Sequence, residues 1–222
     1  MKSWYISTTM PIRVKICGIT NPDDAERAAT LGADMVGLNF YAKSPRSIDV
    51  RTARSILSVL PSTVEAVALF VNEPPERARD FAASLGIQTV QIHGEHRDVL
   101  PVGVRWIPAF SVRHTDDLAA ITSYLQVAKD SAALPYAILV DAHVPGLFGG
   151  TGTVAPWHLL ADFEPIVPLF LAGGLTPDNV AEAIRIVKPG GVDVASGVES
   201  SPGKKDAERL RRFIEAVRSS GL

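Results

Sequence analysis

The sequence predicts an α/β protein built as a single (β/α)8 TIM barrel with short loops. Short β-rich apolar runs recur at 13–17, 35–39, 66–70, 89–92, 105–110, 137–140, 167–171 and 192–195. Their starts are spaced by roughly 20 to 30 residues, about what one strand and one crossover helix need. Alternating strands and helices imply a parallel sheet, and eight units in 222 residues favour its closure into a barrel. An open doubly wound sheet that bound a nucleotide would carry a Gly-rich loop after its first strand. Here that strand ends in Cys17-Gly18-Ile19-Thr20.

Residues 1–11 read as an extension ahead of a barrel domain spanning 12–222. They mix Ser and Thr with Trp4 and Tyr5 and lack the apolar stretch of a secretion signal. Asn21-Pro22-Asp23 supplies a cap, a proline at the first helical position and an acid in the first turn. Leu31-Gly32 and Leu85-Gly86 each end a helix on glycine just before a strand. The stretches 28–32 and 82–86 look like one βα unit used twice. Between Gly94 and Gly103, Pro101 leaves room for only a turn or two of helix. Thr176-Pro177-Asp178 repeats the helix-start pattern of Asn21. Arg209, Arg211 and Arg212 on the last helix read as a solvated face near its C-terminal half.

Apolar residues make up 46% and charged residues 21%, so disorder is set aside. A net charge of -2 gives no basic surplus to argue for nucleic acid or an anionic membrane. No apolar run reaches the ~18 residues of a spanning helix. The lone Cys17 cannot form a disulfide within the chain, which fits a reducing, cytoplasmic setting. The expected partner is a small molecule, with no nucleic acid and no membrane, and the chain is expected to be a monomer or homodimer.

Barrel active sites lie at the carboxyl ends of the strands. The polar residues there are Lys15, Cys17, Asn39, Gln91, His93 and Asp141, followed by Gly173-Gly174 and Ser196-Gly197 after strands seven and eight. Alternation puts Lys15 on the same side as Cys17, one layer down. A buried lysine needs a partner, and Asp193 on neighbouring strand eight lies at the matching depth, so the two are expected to pair. The alternative is a rim charge. The glycine loops after strands seven and eight let backbone N–H groups approach a phosphate, against the alternative of simple tight turns. A short helical turn at Ser196-Gly197-Val198 would point at the same spot.

Each polar residue also has a plainer reading. Cys17 could be a small buried hydrophobe. Asp141 could cap a turn, and Arg46 could pair with Asp49 on the surface. Asn39 and Gln91 suit structural hydrogen bonding better than catalysis. His93 and His96 have a spacing that metal ligands use, but no further ligands accompany them, so no metal is expected.

Six motifs then appear in order: Lys15-Ile16-Cys17-Gly18-Ile19-Thr20, Ser44-Pro45-Arg46, Gln91-Ile92-His93-Gly94, Gly149-Gly150-Thr151-Gly152, Leu171-Ala172-Gly173-Gly174-Leu175, and Val192-Asp193-Val194-Ala195-Ser196-Gly197-Val198-Glu199. Together they resemble the phosphoribosylanthranilate isomerases of tryptophan biosynthesis across nearly the whole chain from residue 13. The resemblance implies an Amadori rearrangement of an aminoaldose to an aminoketose, without metal or cofactor. It implies Cys17 as general base and Asp141 as general acid, with Arg46 near the anthranilate carboxylate. Gln91 and His93 are expected at the substrate, and Gly173, Gly174, Ser196, Gly197 and Val198 at its phosphate. The chain departs from the family at 152–157, where many members carry a Phe just ahead of the Trp.

The chemistry suits these residues. An acid must protonate the ring oxygen as the furanose opens, and a base must take the carbon-2 proton from the resulting iminium. Related barrels fit less well. Indole-glycerol-phosphate synthase needs a higher lysine than Lys15, and ribulose-phosphate epimerase needs several metal ligands. A dual-substrate isomerase would carry an aspartate where Cys17 stands. A non-catalytic phosphometabolite binder would not need both Cys17 and Asp141.

Overall fold

The computed structural model describes residues 11–94, 102–141 and 157–220. Eight parallel strands close into one barrel in chain order. They are β1 (Arg13–Cys17), β2 (Met35–Asn39), β3 (Glu65–Val71), β4 (Thr89–His93), β5 (Arg105–Ser111), β6 (Ile138–Asp141), β7 (Leu169–Ala172) and β8 (Gly191–Val194). Each lies where the sequence places it, with ends displaced by no more than two residues. The helices are α1 (Pro22–Thr30), α2 (Val50–Val59), α3 (Pro75–Ser84), α4 (Thr115–Asp130), α5 (Val180–Val187) and α6 (Ala207–Arg218). After β8 come a 3-10 turn, Ser196–Val198, and a small antiparallel hairpin of β9 (Glu199–Ser201) and β10 (Lys204–Lys205).

The strands are buried on both faces, which is why they read as continuous apolar runs. Outward residues such as Val14, Ile16, Val36, Leu38, Val90 and Ile92 join the core beneath the helices. Inward residues Met35, Val67, Ile107, Leu139 and Phe170 fill the barrel itself. Gly191 faces Phe170, and a Cβ there would overlap its ring, so the glycine makes room for the largest inward side chain of β7. At the N-terminal end a polar network closes the barrel. Arg13 bonds Glu65 at 2.9 Å and also Tyr136, Arg105 bonds Thr89 at 3.0 Å, and Thr89 donates to Glu65.

The local signals act as expected at α1 and α3. Asn21 accepts a hydrogen bond from the Asp24 N–H at 2.8 Å. Both helices end in the same motif. Gly32 and Gly86 take positive φ, and the amides of Ala33 and Ile87 reach back to the carbonyls of Ala28 and Ala82 at 3.0 Å. The repeated stretches therefore share one terminus geometry.

Two expectations are corrected. The helix start read at Thr176-Pro177-Asp178 is displaced: these residues form a turn leading into α5, which begins at Val180, and the Val180 amide bonds the Thr176 carbonyl at 3.1 Å. Asn179 turns its side chain back to the Thr176 amide (2.8 Å) and the Gly174 carbonyl (3.0 Å), tying down the loop after β7. The three arginines are exposed as expected, but they lie in the first half of α6 and not near its C-terminal end, and each is engaged. Arg209 donates to the Glu199 carbonyl at 2.6 Å, while Arg211 pairs with Glu208 and Glu215, and Arg212 with Asp178.

Most of the expected turn between Gly94 and Gly103, most of the 1–11 extension, and the 152–156 segment ahead of Trp157 lie outside the described residues. Among the described residues no helix is long and apolar enough to cross a membrane.

Candidate active site

The site is assembled by strand ends. Cys17 closes β1, buried at 7% exposure, and Lys15 lies fully buried one layer below it. Parallel pairing sets Lys15 opposite Asp193 on β8, and Lys15 Nζ donates to Asp193 Oδ1 at 2.7 Å. The expected pair is therefore present, and the rim-charge alternative fails. On the other side, β2 presents Gly37. A Cβ at that position would lie 2.9 Å from Cys17 Sγ and 3.0 Å from Lys15 Nζ. Thiol and ammonium thus border the same small space.

Electrostatics follow from burial. Loss of water pushes the Cys17 thiol up, and the Lys15 ammonium opposes this without prevailing. Burial would lower the Lys15 value, but Asp193 and Cys17 together outweigh it and raise it above the ordinary lysine value. At the end of β4, His93 is pushed below its ordinary value by burial and by the Lys15 charge. The Asp193 and Asp141 charges act on it in the opposite sense, and Asp141 closes β6, two strands away at the same end of the barrel. Gln91 Nε2 lies 2.8 Å from His93 Nε2, so the two form one hydrogen-bonded unit facing the barrel interior.

Arg46 enters from the loop after β2. Ser44 Oγ orders that loop by accepting from the Arg46 amide and from Asn39 Nδ2, both at 3.1 Å, so Asn39 is a structural hydrogen bonder as expected. The Arg46 stem crosses Gly18, where a Cβ would meet its Cδ at 2.5 Å. Arg46 does not pair with Asp49, which caps α2 by accepting from the Thr52 amide. It binds Glu199 in a two-pronged grip, Nε to Oε1 at 2.8 Å and Nη2 to Oε2 at 2.6 Å. Glu199 Oε1 also accepts from Lys205 Nζ at 2.8 Å, and Lys205 Nζ bonds the carbonyls of Cys17 (2.6 Å) and Ala195 (3.1 Å).

The glycine loops lie at the same end of the barrel. Gly173 and Gly174 both take positive φ, 91° and 65°. The 3-10 turn Ser196–Val198 packs on the loop after β7 so closely that a Cβ on Gly197 would overlap the Leu175 carbonyl. The structure thus brings Cys17, Arg46, Gln91, His93, Asp141, Gly173, Gly174, Ser196, Gly197 and Val198 to the carboxyl end of one barrel. Among the described residues no three His, Cys, Asp or Glu side chains gather as a metal-binding group.

The sequence model of the N-(5'-phosphoribosyl)anthranilate (PRA) isomerases matches residues 14–216. The chain belongs to this family. It is an isomerase, as its relatives are. N-(5'-phosphoribosyl)anthranilate isomerase of Pseudomonas aeruginosa strain UCBPP-PA14 is 45% identical over 213 residues, covering 94% of this chain and 96% of the relative. The crystal structure of phosphoribosyl anthranilate isomerase from Thermotoga maritima superposes with a TM-score of 0.79 at 39% identity, covering 93% of this chain and 98% of that one. A phosphoribosyl anthranilate isomerase complexed with reduced 1-(o-carboxyphenylamino)-1-deoxyribulose 5-phosphate superposes with a TM-score of 0.75 at 37% identity, with the same coverages.

Three residues of the candidate site had no role from sequence alone. Gly37 sits in an apolar run and looks like any small strand residue. Glu199 closes a family motif without an evident partner, since Arg46 is 153 positions away. Lys205 lies in Lys204-Lys205, a pair that reads as surface charge. Only the β9–β10 hairpin turns one lysine outward and buries the other.

Proposed function

We propose that this isomerase converts N-(5'-phosphoribosyl)anthranilate to 1-(o-carboxyphenylamino)-1-deoxyribulose 5-phosphate, with Asp141 as general acid and Cys17 as general base. The observation that carries this reading is the placement of the two groups on strand ends facing one barrel mouth, with a buried cation under the thiol. The Asp141 carboxyl gives its proton to the furanose ring oxygen as the C1–O bond breaks. The nitrogen lone pair forms the iminium. The Cys17 thiolate takes the proton from carbon 2, and the enolamine relaxes to the ketone.

A protonated acid with a thiolate holds the same number of protons as a carboxylate with a thiol. Burial by itself favours the thiol. The cationic iminium favours the thiolate when it forms, and Lys15 and Lys205 favour it throughout. Arg46 receives the ring carboxylate, Gln91 and His93 line the mouth, and Gly173, Gly174, Ser196, Gly197 and Val198 hold the phosphate through backbone N–H groups. The related isomerase carrying a reduced 1-(o-carboxyphenylamino)-1-deoxyribulose 5-phosphate supports this choice of ligand. The reading includes an intracellular enzyme with residues 1–11 outside its barrel, acting as a monomer or homodimer.

The test is consumption of freshly generated phosphoribosylanthranilate by the purified protein in the presence of a chelator, followed by loss of anthranilate fluorescence. Turnover is expected. No turnover by well-folded protein would remove the substrate assignment.

A further inference from the structure

We propose that Glu199 and Lys205 are positioning residues that turn Arg46 into a receiver for the anthranilate carboxylate. The inference rests on the reading of Arg46 as the carboxylate-binding group and adds what makes it one.

A guanidinium offers five N–H donors along two usable edges. Glu199 occupies the side edge, taking Nε and one N–H of Nη2. The Nη1/Nη2 edge is left, and among the described residues Nη1 makes no hydrogen bond. A second planar carboxylate fits that edge with two parallel bonds. With the side edge held and the stem lying across Gly18, the guanidinium plane is fixed before the ligand arrives. Arg46 is 22% exposed at its side chain, whereas Glu199 is 4% exposed, so the clamp is covered and the receiver reaches solvent.

Charge is the second half of the case. An Arg46–Glu199 pair alone is neutral and would offer an incoming carboxylate little net attraction. Lys205 adds a second cation on the same carboxylate, so two cations and one anion leave the cluster at +1. Lys205 is fully buried, and its backbone is pinned by a 2.9 Å bond from its N–H to Asp24 Oδ2. An ammonium sealed in this way is costly unless paired. Its bonds to Glu199 and to the Cys17 and Ala195 carbonyls give it partners. They also tie the receiver to the strand end that carries the thiol.

The test compares binding of two ligands, reduced 1-(o-carboxyphenylamino)-1-deoxyribulose 5-phosphate and its analogue lacking the ring carboxylate. The wild type should prefer the first by about tenfold or more. Arg46→Met should abolish the preference. Glu199→Gln and Lys205→Met should each cut it several-fold with little change in affinity for the analogue, and Lys205→Arg should restore part of it. Lys205→Met keeps the Arg46–Glu199 pair, so it decides the matter if Glu199→Gln does not fold. A preference lost in Arg46→Met but kept in Glu199→Gln and Lys205→Met would overturn the positioning role and leave the Arg46 reading standing. Equal weakening of both ligands would also overturn it, since that marks general damage. No preference in the wild type would remove the Arg46 reading itself, and the inference with it.

Discussion

Replacing Lys15 by Met tests the interior of the barrel. The Lys15 side chain is 0% exposed, Asp193 10%, and their bond is 2.7 Å. Removing the cation leaves a carboxylate buried without its partner. Breaking a pair of this kind costs about 3–5 kcal/mol, a large share of the roughly 5–15 kcal/mol that holds a typical domain folded. Asp193→Asn should cost a similar amount by stranding the ammonium. The double variant leaves no unpaired charge, so its cost should fall below the sum of the singles by about 2 kcal/mol or more. Urea denaturation of the four proteins at neutral pH measures this coupling. The lysine pKa is raised above its ordinary 10.5, so the pair's contribution is complete below that value and is lost only as pH rises through the folded value. The cost should therefore be flat across the neutral range. Additivity within about 0.5 kcal/mol would refute the pairing as a source of stability.

Gly37→Ala places a methyl 2.9 Å from Cys17 Sγ, so it should cost about 1–3 kcal/mol and displace the thiol. A displacement near 1 Å is expected to lower kcat about a hundredfold, and a near-normal kcat would show that the thiol's position is not critical. Gly197→Ala drives a methyl into the Leu175 carbonyl and should raise KM and weaken inhibition by inorganic phosphate. Unchanged values for both would take this loop away from the phosphate. His93 has a folded pKa held below 6.5, so the unfolded chain binds its proton first as pH falls. Stability should therefore drop on acidification through that value, by up to about 1.4 kcal/mol per pH unit from this residue. His93→Gln should flatten that part of the profile, and an unchanged slope would show His93 titrating normally.

The barrel was legible because parallel strands buried on both faces write themselves as eight short apolar runs. Their spacing sets the connections, and Asn21, Gly32 and Gly86 mark helix ends by local chemistry alone. Lys15–Asp193 could be read as well, because strand alternation and barrel closure together fix which inward residues meet. Thr176-Pro177-Asp178 misplaced the start by about a turn, because a cap signal is local: the Val180 amide does reach back to the Thr176 carbonyl at 3.1 Å, but regular helix begins only at Val180. The partner of Arg46 was beyond reach. Glu199 meets it only after β8 and the β9–β10 hairpin fold back, and nothing in Lys204-Lys205 tells which lysine goes inside. The closing polar network of Arg13, Glu65, Thr89, Arg105 and Tyr136 was likewise hidden, since each contributes one inward residue from a different part of the sequence.

The pair of proton-transfer groups is tested most directly by comparing turnover with ligand binding in Cys17→Ala and Asp141→Asn. The fluorescence assay gives kcat, and titration with reduced 1-(o-carboxyphenylamino)-1-deoxyribulose 5-phosphate gives affinity. The proposed mechanism predicts that kcat falls by about 10²–10⁴ in each variant, with affinity for the ligand changed only a few-fold. A near-normal kcat in either variant would contradict the role assigned to that residue.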